Sequence, residues 1–541
     1  MDPRASLRSA NGAVGGDGRP PLPRATGTRR GASHEAPEPS AGVVDAREQG
    51  GTTEERLRPR RMEASLYLRG AQDMTDTNLA IPARIRTRDL AADTLTPVAA
   101  ALRLGDRCAF LLESVEGGVR YGRHSFVGVR GQTLIVDAAG ARLIGPGGTR
   151  AVAETDPLEA LRSVLPEAPS ASPDVPFPLA AGVGYIAYEA TARWEPVPVP
   201  DEDPLGLPEA VLHLPAAVIV FDHLAQVARI AVLDGGEADL DELAEAVTHP
   251  VAAERPVTPE PAVVPPERDA AGRERFEHGV ATLVEEIRAG EMLQAVLARR
   301  FAVSTSRSPM EVYRALRRIN PSPYLFIVDL RDAADGTALV GASPELLVRV
   351  RDGEVVTRPI AGTRPRGTDA DHDAALEAEL RDDPKELAEH AMLVDLARND
   401  VGRVAAPATV DVPILRSVER YTHVMHLVSE VRGRLAEGLD AFDALRAAFP
   451  AGTVSGAPKV RAMTAIAERE QERRGPYGGA IGFFSPNDVE AAITLRSAVI
   501  GPGRATVHAG AGIVADSDPA REAAEVAAKA ASMLAAIGVD R

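Results

Sequence analysis

The stretch Asp383-Pro-Lys-Glu-Leu-Ala-Glu-His-Ala-Met-Leu-Val-Asp-Leu-Ala-Arg-Asn-Asp400 decides how the chain is read. Its run of helix formers and apolar spacing predict a helix over 379–403. Within it Glu386 and Glu389 stand three residues apart, which puts both carboxylates on one helix face. A second such pair, Glu522 and Glu525, opens a helix expected over 519–537. Asp518 reads as its N-cap and Pro519 as its first residue, and acids in a first turn interact favourably with the helix dipole. Either pair alone is an ordinary solvated helix face. If the fold brings the two helices together, four carboxylates crowd one site, and like charges that close need a cation. Hard oxygen donors point to Mg2+ rather than to zinc.

Outward from these helices the pattern is mixed α/β. Helical spacing recurs over 271–290 (Phe276, Val280, Leu283, Ile287) and 437–448. Short β-rich runs lie at 323–330, 338–350, 478–485, 490–500 and 504–515. In the N-terminal half, Ala217–Phe221 and Ala225–Leu233 flank a polar turn at Asp222-His223 and predict a hairpin. Two Pro-rich interruptions stand out. The first, 165–178, reads as a surface loop, and the second, 250–266 with six prolines, as a semi-rigid linker. Residues 1–61 carry no aromatic side chain and few Leu, Ile or Val, too little apolar surface to offset chain entropy. The expected organisation is therefore 1–73 as a disordered extension or a start assigned too early, 74–249 as one domain, 250–269 as linker and 270–541 as another domain.

Composition excludes several classes of function. The 541 residues are 45% hydrophobic and 26% charged, with no apolar run of about 18 residues. A net charge of −17 argues against a general binder of nucleic acid. The single cysteine, Cys108, rules out an internal disulfide framework and fits a reducing, cytoplasmic setting. Of 61 basic side chains only three are lysine, Lys385, Lys459 and Lys529, as expected of a GC-rich coding sequence.

Anion-binding features accumulate in the C-terminal half. Ala451-Gly-Thr-Val-Ser-Gly-Ala-Pro-Lys459 is a glycine-punctuated turn with hydroxyls, and His508-Ala-Gly-Ala-Gly512 lets backbone N–H groups come close to a ligand. Neither has the spacing of a nucleotide-binding loop. His426 lies in an apolar stretch and titrates in the range of a general base. Arg496 interrupts the apolar run Ala-Ile-Thr-Leu-Arg-Ser, and a buried guanidinium needs an anion, here a substrate carboxylate or an internal partner.

These residues arrive within a recognisable series. Pro359-Ile-Ala-Gly-Thr-Arg-Pro-Arg-Gly367, Asp383–Asp400, Ala451–Lys459, Tyr477-Gly-Gly-Ala-Ile-Gly482 and Ala509-Gly-Ala-Gly-Ile513 resemble the chorismate-utilising enzymes, and among them the aminase components of the anthranilate synthases. The resemblance spans about 85–537 and implies large antiparallel sheets packed with helices in two intertwined subdomains, the first regulatory and the second catalytic. Related isochorismate and salicylate synthases use a lysine to activate water where this chain has Gln294, which cannot deprotonate water. Aminodeoxychorismate synthases typically carry a lysine nucleophile where this chain has Ala361. Ammonia remains as the incoming group.

The resemblance also implies roles. Mg2+ is expected on Glu389 and Glu525, with Glu386 and Glu522 in support, holding the ring carboxylate of chorismate. Arg496, Tyr477, Gly362, Thr363 and the backbone of Gly510, Ala511 and Gly512 are the expected substrate contacts. Glu345 is the expected general acid for the departing C4 hydroxyl, and His426, with Thr453 nearby, the base that removes the C2 proton. Phe110-Leu-Leu-Glu-Ser114 and Asn320-Pro-Ser-Pro-Tyr324 resemble the family's tryptophan-feedback element, so Ser114, Pro323, Tyr324 and Leu325 are expected to bind L-tryptophan as inhibitor, with Ile481 and Phe483 near that pocket. Cys108 does not sit in the Gly-x-Cys-x-Gly turn of a glutamine amidotransferase, so ammonia is expected from a separate glutaminase subunit in a hetero-oligomer, such as a heterotetramer. Two other readings stay open: an aminodeoxychorismate-type synthase component that stops before aromatisation, and an inactive tryptophan-binding regulator of a glutaminase.

Overall fold

The computed structural model describes residues 85–114, 122–166, 175–233, 236–250, 257–259, 266–421 and 424–538. The segment 1–73 and most of the Pro-rich stretch 250–266 lie outside these. The apolar runs become strands covered on both faces. In Tyr324–Asp329, Leu325 and Ile327 turn to a helix-covered core, while Phe326 and Val328 turn to a core shared between two sheets. Ala480–Phe484 repeats the pattern: Ala480 and Phe484 face a second helix-covered core, and Ile481 and Phe483 face the shared one. Burial at both phases of the period of two is why these strands read as unbroken apolar runs.

The outcome is four layers: helices, an eleven-stranded sheet, a twelve-stranded sheet, and helices again. Neighbouring strands are antiparallel throughout both sheets. The expected hairpin is present as Ala217–Asp222 and Val227–Leu233. Strands from both ends of the chain share each sheet, Cys108–Glu113 pairing with Tyr324–Asp329 and Gly182–Ile186 with Ala480–Phe484. No described helix is long and apolar enough to cross a membrane.

Three sequence expectations change. The helix expected over 379–403 is two, Ala370–Asp382 and Pro384–Gly402. Pro384 lacks an N–H and disfavours helical backbone in the residue before it, so Asp383 ends one helix and caps the next. The Pro-rich 165–178 departs from a surface loop over 175–178, where Val175 and Phe177 are fully buried, with the Phe177 ring 4.9 Å from that of Phe126 and 5.2 Å from that of Phe483. Burying such a ring contributes about 2–3 kcal/mol, enough to hold a proline-rich segment inward.

The β-rich runs 338–350 and 490–500 are each two strands, Ala338–Ser343 with Leu346–Arg351 and Val489–Ile493 with Ser497–Gly501. At each break the chain leaves one sheet for the other. The two crossings brace one another: Ser343 Oγ donates to the Ile493 carbonyl at 2.6 Å, Ile493 N–H to the Glu345 carbonyl at 3.1 Å, and Ala342 N–H to the Arg496 carbonyl at 3.1 Å. Glu345 and Arg496, charged residues inside apolar runs, thus stand where the chain changes sheets.

Candidate active site

Beside these crossings opens a cavity of about 610 Å3. Glu345, Thr453, His426, Gly362, Thr363, Tyr477, Arg496, Gly510, Gly512 and all four glutamates of the two pairs line it. Ala511 does not: strand alternation turns its side chain into the core, fully buried between the two lining glycines.

Each group is set by local structure. Glu345 is 8% exposed, accepts a hydrogen bond from Thr453 Oγ1 at 3.1 Å, and is pushed by burial up to about 8, so it is a protonated acid at neutral pH. His426, on the strand Val424–Arg434, has Nδ1 3.1 Å from the Gly362 carbonyl and 3.0 Å from Thr363 Oγ1. A carbonyl only accepts, so Nδ1 carries the proton and Nε2 is left as the basic nitrogen. Burial lowers the pKa of His426, which favours the neutral ring. Arg496 holds a left-handed backbone at φ 46°, and its Nη1 donates to Asn320 Oδ1 at 3.1 Å. Close approach explains two glycines. A Cβ on Gly512 would stand 2.5 Å from Gln294 Nε2, and one on Gly510 would stand 3.0 Å from the Tyr477 hydroxyl.

The carboxylate pairs come from Pro384–Gly402 and Pro519–Ile537, capped by Asp383 and Asp518. Burial raises the pKa of Glu389, with Glu386 and, from the other helix, Glu525 adding to the effect. Burial also raises Glu522, where Glu525 adds its charge. Glu386 is 3.3 Å from Arg364, and Glu525 is 2.8 Å from Lys529. Among the described residues no three acidic, histidine or cysteine side chains converge on one point. A set of partly repelling carboxylates that leaves room for other oxygen donors suits Mg2+, which usually keeps waters and takes few protein ligands. The donor set fits the ion.

Lys385, Lys529 and the His508 side chain, which the sequence alone did not assign to the site, also line the cavity. The signal was in the composition. The chain has three lysines; two line this cavity, and the third, Lys459, pairs with the nearly buried Asp400 at 3.4 Å. In a chain whose cations are otherwise arginine, a lysine offers a compact ammonium where arginine would present a wide planar fork.

The family model for chorismate binding enzymes matches residues 108–535. The chain belongs to the chorismate-binding enzyme family. Within that family it is 45% identical over 466 residues to anthranilate synthase component 1 of Streptomyces coelicolor, covering 82% of this chain and 87% of that one. To the Thermus thermophilus protein of the same name it is 44% identical, covering 82% and 96%. The crystal structure of anthranilate synthase component I from Streptococcus pneumoniae superposes with a TM-score of 0.67 at 34% identity, covering 85% of this chain and all of that one. The menaquinone-specific isochorismate synthase of Escherichia coli, at 22% identity and a TM-score of 0.63, shares the fold.

A second cavity, of about 240 Å3, is lined by Ser114, Pro323, Tyr324 and Leu325, with Glu113, Ile481 and Phe483. Tyr313 and Arg317, on the helix Pro309–Ile319, hold Glu113 at 2.5 and 2.9 Å. Ser114 Oγ is buried without a hydrogen-bond partner among the described residues.

Proposed function

We propose that the larger cavity converts chorismate and ammonia to anthranilate and pyruvate, the reaction of an anthranilate synthase aminase component in tryptophan biosynthesis. The observation that carries this reading is the company Glu345 and His426 keep. An acid and a base line one cavity with Arg496 and four carboxylates, while Gln294 and Ala361 occupy the lining positions where the competing chemistries need a lysine.

The chemistry follows from those groups. Arg496 and Tyr477 hold the enolpyruvyl carboxylate of chorismate, aided by Gly362, Thr363 and the backbone of Gly510–Gly512. Glu389 and Glu525 would hold Mg2+, with Glu386 and Glu522 in support; bound there, the ion neutralises and orients the ring carboxylate. Ammonia adds at C2 while Glu345 gives its proton to the departing C4 hydroxyl, which leaves as water. His426 Nε2 then takes the C2 proton as the enolpyruvyl C–O bond breaks and the ring becomes aromatic; the group leaves as the enolate of pyruvate, which gains a proton at its methylene carbon to give pyruvate, and His426 returns its own to solvent. Burial pushes the Cys108 thiol up to about 12, so it is no glutaminase nucleophile, and the ammonia comes from a separate glutaminase subunit of a cytoplasmic hetero-oligomer. The smaller cavity takes L-tryptophan as feedback inhibitor.

The test is direct: purified protein is given chorismate, Mg2+ and excess ammonium near pH 8, where much of Glu345 still holds its proton. Anthranilate fluorescence supports the reading. A non-aromatic amine in its place would establish the aminodeoxychorismate-type alternative, and tryptophan binding without turnover would establish the inactive regulator.

A further inference from the structure

The strand Arg504–Ile513 turns His508, Gly510 and Gly512 to one face, while Val507, Ala509 and Ala511 pack into the core. The two glycines leave a trough in the cavity wall, overlain by Gln294 at Gly512 and by the Tyr477 hydroxyl at Gly510. His508 closes the end of that trough. It is 7% exposed, and its Nε2 is buried with no hydrogen-bond partner among the described residues. The imidazole stacks on Tyr477, centroids 5.6 Å apart and planes inclined by 20°. Buried polar atoms are almost always paired, so an unpaired nitrogen in the wall of a ligand cavity is one that the ligand pairs. Burial, with Arg300 and Arg474 close by, pushes the ring down to about 3, so it stays uncharged at any working pH. An uncharged ring meets an anion as a donor.

We propose that His508 is a substrate-contacting residue whose Nε2–H donates to the enolpyruvyl carboxylate held by Arg496 and Tyr477. This rests on the reading of the cavity as a chorismate site and deepens it. The competing role is packing alone, with the ring as a wedge that keeps Tyr477 in place.

Two substitutions separate these roles. His508→Phe keeps a stacking ring and removes the donor, whereas His508→Gln keeps a donor and removes the ring. A contact predicts that His508→Phe raises KM for chorismate roughly 10- to 100-fold, while His508→Gln stays within about threefold of the parent. It further predicts that product inhibition by anthranilate, which lacks the enolpyruvyl group, is unchanged in His508→Phe. A parental KM in His508→Phe with a raised one in His508→Gln would overturn the proposal in favour of the wedge. An equal loss of chorismate and anthranilate affinity in His508→Phe would also overturn it, as damage to the whole cavity. Parent protein that binds chorismate without consuming it refutes the functional reading instead, so the two failures are told apart.

Discussion

At the scale of single residues, burial sets the acid and the base apart. Glu345 is pushed up to about 8 and His426 is lowered, so between those limits the acid holds its proton and the base is free to take one. The sign follows from which form works. With the proposed roles, turnover should fall as pH rises through about 8, where Glu345 loses its proton, and should fall again in acid, where His426 gains one. Because ammonia reacts as the free base, the profile is measured at constant free-base concentration. Glu345→Gln should lower kcat about 10^2- to 10^4-fold and abolish the alkaline limb; an unchanged limb would move the acid elsewhere. Gln294, 4% exposed with an Oε1 that has no hydrogen-bond partner among the described residues, tests the nucleophile in the same wall: Gln294→Lys should gain measurable isochorismate formation, read by chromatography. Some of these residues were legible because they break a local rule. Arg496 is a charge inside an apolar strand pattern, and lysine is conspicuous where arginine is the habit. His508 was not legible in this way, since its orphaned nitrogen and its stacking partner exist only once residues 477 and 508 meet.

At the scale of elements, what could be read from local pattern was set by local chemistry. The helix Pro519–Ile537 appears with its expected bounds because its cap, its first proline and its apolar period all lie within it. The break before Pro384 went unread because apolar spacing continues across it, and helix spacing alone does not say which carbonyls are bonded. Asp383 makes that break stable, accepting from Lys385 N–H at 2.9 Å and Glu386 N–H at 3.3 Å and holding Arg364 at 2.7 Å. Asp383→Ala should lower the urea midpoint and weaken Mg2+ activation, because the capped turn carries Glu386. A variant with parental Mg2+ dependence would show that the turn holds its shape without the cap. A stronger fastening lies under Tyr477. Arg474 is 2% exposed and donates to the carbonyls of Val454 at 2.7 Å and Val296 at 2.6 Å and to Glu470 at 2.6 Å. It therefore ties the segments that carry Thr453 and Gln294 beneath the Tyr477 ring, 5.8 Å away. Arg474→Met strands Glu470 as a buried charge and should cost about 3–5 kcal/mol, and adding Glu470→Gln should recover part of that loss in thermal melts.

At the scale of the molecule, both cavities are tied to one helix by hydrogen bonds. Pro309–Ile319 holds Glu113 of the smaller cavity through Tyr313 and Arg317, and its C-terminal cap, Asn320, accepts from Arg496 in the larger one. Four residues further on, Tyr324 returns to the wall of the smaller cavity. This arrangement was out of reach of local reading, because it depends on Cys108–Glu113 pairing with Tyr324–Asp329 across more than two hundred residues of chain. A ligand acts on a distant site only through a difference in its affinity for two arrangements, and that coupling is reciprocal. If tryptophan in the smaller cavity shifts the helix, the support of Arg496 shifts with it, and chorismate loses affinity before it loses rate. Tryptophan should therefore raise KM more than it lowers kcat, and saturating chorismate with Mg2+ should weaken tryptophan binding by the same factor in calorimetry. Ser114→Ala, which removes a cavity hydroxyl with no hydrogen-bond partner among the described residues, should raise the inhibitory concentration about tenfold and leave uninhibited kinetics unchanged. Asn320→Ala should act at both ends, raising KM without tryptophan and shrinking the further rise that tryptophan causes. Parental inhibition in Asn320→Ala would show that the coupling runs instead through the sheet crossings at Glu345 and Arg496.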